Sequence, residues 1–289
     1  MTATADNPER QRLDQVVAKA MPDLSRAQAA KLIENGSVQL NGLVVTKSSL
    51  RIPIDADLAV DFDPHRQQQA TAELDLPVIY EDDACIVINK PVGLLSHSKG
   101  AFNPEATVAS WLATRKGIQL AHGERAGIVH RLDRATSGVM ICAKTPQALQ
   151  WLQKQFSTRK VKKTYMAIIN DRLEPPAAIV DMPIERNPKN PATFRVGPQG
   201  KPATTAYHTM QASSRYSLLK LEPQTGRTHQ LRVHLKYLGH PIVGDTFYGG
   251  EVADRLYLHA FCLELTLPDH NRQQFIAPLP EAFTVKMEQ

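Results

Sequence analysis

The chain has little of what marks secreted or membrane proteins. Its 289 residues include only three cysteines, Cys85, Cys142 and Cys262, which are far apart and lie in apolar segments. That spacing excludes a disulfide framework and a Cys-x-x-Cys metal site, and it predicts buried thiols on strands. The first nine residues lack the basic start and the apolar core of a signal peptide. No apolar run approaches the roughly 20 residues that cross a membrane, so we expect a cytoplasmic protein with no membrane contact.

Motifs for nucleotide cofactors, nucleophilic serine and zinc are also missing. There is no Gly-x-x-x-x-Gly-Lys loop, no Gly-x-Gly-x-x-Gly turn, no Gly-x-Ser-x-Gly elbow and no His-Glu-x-x-His. Histidines occur at 229, 234, 240 and 259, but His229 and His234 would lie on different faces of a helix and could not share a metal. We therefore expect neither a metal nor a cofactor.

Positive charge is unevenly distributed along the chain. The formal net charge is +5, yet residues 1–63 carry no basic excess. Residues 131–172 contain nine lysines and arginines against two acids, and residues 215–240 are also basic. Such stretches indicate either a polyanion-binding surface or two solvated faces.

The pattern of apolar and turn residues predicts two domains joined by a linker. Within residues 1–63, Asn7-Pro8 predicts the start of a helix, the Ser25–Gln28 capping box predicts another, and Asn41-Gly42 predicts a hairpin. Residues 64–76 are rich in glutamine, which is typical of a flexible linker. Residues 77–289 are mostly strands, with helices from Pro146 and after Arg227. Residues 171–200 are predicted to be irregular, and residues 256–260 and 261–267 to be late strands.

One acidic residue stands out in the segment from Gly127 to Cys142. Asp133 lies between Arg131 and Arg134, whose positive charges favour an ionised carboxylate. This arrangement fits either a catalytic carboxylate or a salt bridge that only shapes the loop.

The string His130-Arg131-Leu132-Asp133-x-x-Thr136-Ser137-Gly138 resembles the signature of the RluA-type pseudouridine synthases. Other blocks of the chain match the same family in the same order, namely residues 89–93, 163–165, 226–234 and 239–248. Residues 1–63 resemble the S4 RNA-binding domain, with a dimerisation or spacer module as the alternative for this segment.

The resemblance implies an α+β fold, with a mixed, mostly antiparallel central sheet, flanking helices and a central RNA cleft, behind a small α+β S4-like domain. It implies an isomerase that converts specific uridines to pseudouridine in structured RNA. The leading S4-like domain favours large-subunit (23S) ribosomal RNA over transfer RNA, and we expect a monomer.

The resemblance also implies residue roles. Asp133 would be the catalytic carboxylate, which either attacks the sugar or removes a proton at C2′. Tyr165 would stack on the uracil and help to remove the C5 proton, and Arg232 would pair with Asp133 and orient it. Arg131 would fill the gap left by a flipped uridine, and the other predicted substrate-binding residues are His130, Arg227 and Lys163.

Two other functions compete with this prediction. One is a non-catalytic RNA-binding or ribosome-assembly protein, which gives no reason for Asp133, Tyr165 and Arg232 to occur together. The other is a nucleoside hydrolase or glycosidase. Glycosidases generally need two carboxyl groups, and no second acid lies close to Asp133 in the sequence.

Overall fold

The computed structural model describes residues 10–22, 24–62, 71, 74–98, 105–120 and 127–289. It divides into two compact units, residues 1–70 with 99–105, and residues 71–98 with 106–289. The predicted helix cap at Asn7 and most of the predicted linker lie outside the described residues. Leu76, at the end of that linker, is buried in the core of the larger unit.

The smaller unit is built from two helices and short strands. Its elements are β1 (Arg10–Arg12), α1 (Leu13–Ala20), α2 (Arg26–Glu34), β2 (Val38–Leu40), β3 (Leu43–Val44), β4 (Arg51–Pro53) and β5 (Leu58–Val60). Strand β1 pairs with β4, and β2 pairs with both β3 and β5. One apolar cluster from both helices and these strands forms its core.

Local signals in this unit are confirmed with one exception. The backbone N–H of Ser25 donates to Gln28 Oε1 over 2.6 Å as the capping box requires, and Asn41 and Gly42 have the positive φ angles of a tight hairpin turn. The first helix was predicted to begin near Pro8 but begins at Leu13. Residues 10–12 are extended instead, because they pair with β4.

The larger unit carries one extended sheet with helices packed around it. Its elements are β6 (Val78–Glu81), β7 (Cys85–Lys90), α3 (Val108–Thr114), β8 (Ser137–Ala143), α4 (Pro146–Ser157), β9 (Lys162–Asn170), β10 (Ala177–Asp181), β11 (Ile184–Arg186), β12 (Phe194–Val196), β13 (Thr204–Ala212), β14 (Tyr216–Pro223), α5 (Gln230–Tyr237), a 3₁₀ turn (Thr246–Tyr248), β15 (Leu258–Thr266), β16 (Arg272–Ile276) and α6 (Glu281–Met287).

The strand order of the sheet is β10-β13-β14-β9-β15-β8-β7-β6, with β16 paired to β15. The contact between β15 and β8 is parallel, and the other described pairs are antiparallel. This confirms the predicted mixed, mostly antiparallel sheet with flanking helices.

Two predictions for this unit are wrong. Residues 171–200 are not wholly irregular, because β10 adds a strand to the sheet and β11 and β12 pair with each other. Residues 256–267 do not form two strands. A single strand, β15, runs from Leu258 to Thr266, and the chain then turns back as β16. Proline and asparagine between the short strands of 171–200 masked their alternation.

Two large apolar clusters and a smaller third one form the core of the larger unit, and Tyr165 packs against the two large clusters. Cys85, Cys142 and Cys262 are buried free thiols on β7, β8 and β15, as predicted. Among the described residues, no helix has both the length and the apolar character to cross a membrane.

Gly138 allows the close parallel approach of β8 to β15. Its φ is +120°, and a Cβ atom there would lie 2.2 Å from the backbone oxygen of Ala260, its partner in the ladder. Any side chain would force these strands apart. Because β8 begins directly after the Asp133 loop, this approach also fixes where the loop ends.

We expect Gly138→Ala to lower the free energy of unfolding by about 3 kcal/mol, because it adds a steric clash to a strained backbone angle. Gly239→Ala is the matched control, since Gly239 also has a positive φ but a Cβ atom there would meet nothing within 4 Å. That control should cost about 1 kcal/mol. Urea denaturation measures both, and equal losses would contradict the role given to the β8–β15 approach.

Candidate active site

The loop that carries Asp133 is anchored by the turn after β7. Ser96 Oγ accepts a hydrogen bond from the backbone N–H of Leu132 over 3.1 Å and donates to the backbone oxygen of Leu132 over 2.9 Å. Gly93 and Arg134 exchange two further bonds, from the Gly93 N–H to the Arg134 oxygen and from Arg134 Nε to the Gly93 oxygen. These bonds fix the backbone on both sides of Asp133.

The same turn is held by the buried amino group of a lysine. Lys90 is 0% exposed, and its Nζ donates to the backbone oxygens of Pro91 and Leu94 over 2.8 and 2.9 Å. Burial lowers the pKa of Lys90 to about 7, and the negative charge of Asp133 opposes that shift. The conformation of the turn is therefore stabilised by hydrogen bonds from a buried side chain.

The Asp133 carboxylate borders a cavity of about 140 Å³, and its side chain is 22% exposed. Two donors approach the same carboxylate oxygen. Arg232 Nη1 and His229 Nε2 each lie 3.7 Å from Asp133 Oδ2. Both distances exceed a hydrogen bond, but catalytic contacts are often long without substrate and shorten once it binds.

Arg232 makes its strong bonds to a second acid. Its Nε and Nη2 donate to the two oxygens of Asp245, both over 2.7 Å, and the Asp245 side chain is 1% exposed. The guanidinium also lies near the rings of Phe247 and Tyr248. The structure therefore brings Arg232 to Asp133 as an ionic contact, while Asp245 fixes the orientation of the guanidinium.

Tyr165 lies on β9 and lines the same cavity as Asp133 and Arg232. Burial, and then the charge of Asp133, raises the pKa of the Tyr165 phenol. The ring is consequently a neutral, partly buried aromatic surface at physiological pH. This state suits stacking on a flat ligand, whereas accepting a proton would require the phenol to pass its own proton on.

A larger cavity of about 520 Å³ adjoins the first and shares Arg131, Lys163, Tyr165 and Arg227 with it. Arg131 is exposed at this boundary. Burial, and then the charge of Arg159, lowers the pKa of Lys163 to about 8. Near neutral pH this lysine is therefore largely charged, and the larger cavity presents cations to a ligand.

His130 lines the larger cavity, but its ring is tied to the protein. Nε2 accepts the backbone N–H of Ile141 over 3.0 Å, and the ring stacks on Phe156 at 4.5 Å between centroids. Burial lowers the pKa of His130 to about 3, so the ring is neutral. Its contact with a ligand stays a prediction, and any such contact would involve Nδ1 or the ring face.

Three other histidines bond to protein groups. His234 lies between Thr205 Oγ1 and the backbone oxygen of Met182, His240 faces the backbone oxygen of Asn170, and His259 bridges Ser137 to the backbone oxygen of Ala277. Within the described part of the chain, no group of three histidine, cysteine or acidic side chains could hold a metal ion.

Sequence reasoning missed the parts played by Asp245, Tyr248 and His229. Asp245 and Tyr248 belong to the block 239–248 that resembles the synthase family, but the pattern alone assigned them no contact. The structure places Asp245 on Arg232 and the Tyr248 hydroxyl 2.8 Å from His229 Nδ1. The available signal was that the block 239–248, which resembles the synthase family, contains both an acid and a tyrosine.

Comparisons with known proteins show the family to which the chain belongs. The family model described as RNA pseudouridylate synthase matches residues 84–237, and the S4 domain model matches residues 11–57. A ribosomal large subunit pseudouridine synthase D from Vibrio parahaemolyticus is 35% identical and covers 98% of this chain and 92% of its own. An uncharacterized RNA pseudouridine synthase from Chloroflexus aurantiacus is 40% identical over 96% of this chain and 90% of its own.

Among solved structures, the human RNA pseudouridylate synthase domain containing 4 matches with a TM-score of 0.60 and 26% identity, over 77% of this chain and 94% of that chain. These matches define an RNA-modifying isomerase. The chain belongs to the RluA-type family of pseudouridine synthases and carries an N-terminal S4 domain, so it converts uridine to pseudouridine in RNA.

We expect Asp245→Asn to lower the free energy of unfolding by about 3 kcal/mol, because the buried guanidinium of Arg232 loses its hydrogen-bonded counter-charge and keeps only the Asp133 carboxylate at 3.7 Å. The control is Glu264→Gln, which breaks the half-exposed pair with Arg272 and should cost less than about 1 kcal/mol. Chemical denaturation compares the two variants. If both lost equally little, the Arg232–Asp245 pair would not be a main support of the site.

Proposed function

We propose that this protein isomerises specific uridines in large-subunit ribosomal RNA, with Asp133 as the catalytic carboxylate. The observation that carries the proposal is the meeting of Asp133, Tyr165 and Arg232 at one small cavity. The cavity is far smaller than the roughly 300–1,000 Å³ of a pocket for a drug-sized ligand. It suits one nucleobase, and the adjoining cationic cavity suits its flanking nucleotides.

The reaction exchanges one bond to the ribose for another. The C1′–N1 bond of uridine breaks, the uracil turns while it is held, and a C1′–C5 bond forms. The C5 hydrogen leaves as a proton, and N1 takes one up, so no oxidant or reductant is needed. Asp133 opens the sequence in either of two ways, by attack on C1′ or by removal of a proton at C2′.

The other residues assist at defined places. Tyr165 stacks on the uracil and helps to remove its C5 proton, which requires the phenol proton to move on, given its raised pKa. Arg232 steadies the carboxylate through the 3.7 Å contact. A uridine must leave its stack before C1′ and C5 can be reached together. The exposed Arg131 at the cavity boundary suits filling the vacated position.

Binding of the surrounding RNA falls to the cations of the larger cavity. Lys163 and Arg227 line both cavities, and Lys163 is also fixed to the backbone oxygen of Thr225 over 3.2 Å. Ribosomal RNA as the substrate is supported by the names of relatives such as those from Vibrio parahaemolyticus and Salmonella typhimurium, which are ribosomal large subunit synthases.

The geometry argues against the glycosidase alternative. A glycosidase needs a second carboxyl group facing the sugar, and the acid that reaches the site through Arg232 is Asp245. Both oxygens of Asp245 bind the guanidinium, and Asp245 does not line the cavity. A single carboxylate suffices where the leaving group is a stabilised anion such as uracil.

We expect Asp133→Asn to lower pseudouridine formation about 10⁴-fold or more while RNA affinity changes less than about threefold. The reason is that the reaction depends on the Asp133 carboxylate, whereas the binding of RNA depends on it little. Chromatography of the nucleosides digested from treated ribosomal and transfer RNA separates pseudouridine from uridine, which has the same mass, and measures the product; filter binding measures affinity.

The matched control for that experiment is Asp83→Asn, which removes an exposed carboxylate from a turn of the same unit. It should behave as the wild type. Product formed by Asp133→Asn at the wild-type rate would exclude Asp133 as the catalytic group, and product in transfer RNA alone would exclude the ribosomal substrate.

Deletion of residues 1–63 should raise KM for the natural RNA at least about tenfold and leave kcat within about threefold, because a linked binding module acts through effective concentration. Steady-state kinetics on full-length ribosomal RNA and on a short stem-loop separate the two effects. The short substrate should show little change in KM. An unchanged KM on both substrates would favour a spacer role for this segment.

A further inference from the structure

His229 occupies an unfavourable backbone conformation at the edge of the active site. It is the residue directly before α5, and its φ and ψ are 56° and 19°, in the left-handed region. Residues other than glycine adopt this region at a cost in conformational free energy, and residues with such strained backbones cluster at functional sites. His229 lines the cavity together with Asp133.

The imidazole ring is clamped on the side away from the cavity. Nδ1 lies 2.8 Å from the Tyr248 hydroxyl, and the same hydroxyl accepts the backbone N–H of Phe194 over 3.0 Å. The rings of Phe194 and Tyr248 both meet the imidazole edge-on, at centroid distances of 5.7 Å. Three separate segments, β12, the 3₁₀ turn and the start of α5, therefore fix one ring.

These bonds select one tautomer of the neutral ring. Because the Tyr248 oxygen already accepts a hydrogen bond from the Phe194 backbone N–H, the hydroxyl proton of Tyr248 is best directed to His229 Nδ1. Nδ1 is then an acceptor, and the ring proton resides on Nε2. Burial lowers the pKa of His229, which agrees with a neutral ring. The Nε2–H is the atom that faces Asp133 Oδ2 at 3.7 Å.

We propose that His229 is a positioning residue that holds Asp133 Oδ2, together with Arg232 Nη1, so that Oδ1 is the oxygen presented to the ribose. Both donors converge on Oδ2, and they close to hydrogen-bond distance when the substrate excludes water. The chain of bonds runs from the Phe194 N–H through the Tyr248 hydroxyl and the imidazole to the carboxylate. This inference rests on the proposed role of Asp133 and adds the group that aims it.

The test compares two replacements of His229 in the full-length protein acting on ribosomal RNA. Asn tolerates the left-handed backbone and can still meet the Tyr248 hydroxyl, but it is too short to place a donor at the Nε2 position. Gln does place an amide N–H there. We expect His229→Asn to lower kcat roughly 100-fold and to change KM less than about threefold, as a misplaced reactive group does. His229→Gln should recover at least about tenfold of that loss.

A double-mutant cycle tests the chain of bonds. Tyr248→Phe removes the proton that fixes the tautomer, so it should lower kcat in the wild type but add little to His229→Asn. Thermal melts of all variants identify any loss that comes from unfolding. If the effects of the Tyr248 and His229 substitutions on kcat were fully additive, the result would contradict the proposed chain of bonds.

Three results would overturn the proposal: His229→Asn with wild-type kcat, equal impairment by Asn and Gln, or a loss confined to KM. Asp133→Asn, assayed in parallel, separates this failure from failure of the proposed function. If Asp133→Asn is inactive and His229→Asn is fully active, only the positioning role of His229 is excluded. If Asp133→Asn is active, the assignment of the carboxylate itself falls.

Discussion

The site depends on a buried ion pair, Arg232–Asp245, whose acid does not line the substrate cavity. Asp245 binds Arg232 through two hydrogen bonds of 2.7 Å, and this leaves a single guanidinium nitrogen, Nη1, for Asp133. A free arginine would adopt many rotamers and could bind Asp133 through both of its oxygens. Held by Asp245, it can approach only one. The pair thus sets the orientation of the reactive carboxylate, and with it which oxygen remains available for chemistry.

The backbone around Asp133 is also fixed on both sides. The turn that follows β7 binds it through Ser96 and Gly93, and the buried amino group of Lys90 donates hydrogen bonds to two backbone oxygens of that turn. On the other side, the close approach at Gly138 fixes the start of β8. A loop with so many constraints loses little entropy when substrate binds, which is the physical meaning of a preorganised site.

Much of this could be predicted from local sequence. The capping box at Ser25 and the Asn41-Gly42 hairpin follow from short-range patterns, whereas the mixed sheet and the choice of Asp133 came from the resemblance to the synthase family. Contacts made across the fold could not be predicted in this way. The turn after β7 is typical of ordinary Lys-Pro-x-Gly chemistry, and only the assembled sheet brings it to the Asp133 loop. The excursion 171–200 hid β12, whose Phe194 reaches the site through Tyr248, because its prolines and asparagines obscure a strand of three residues.

The central claim is that one oriented carboxylate moves uracil from its nitrogen to its carbon within a single cavity. Release of tritium from ribosomal RNA labelled at C5 of uridine measures this directly, since that hydrogen leaves only when the new C1′–C5 bond is completed. The account predicts that the purified protein, without added metal or cofactor, releases one tritium per pseudouridine formed and no free uracil. Free uracil as the product, or RNA binding without tritium release, would contradict it.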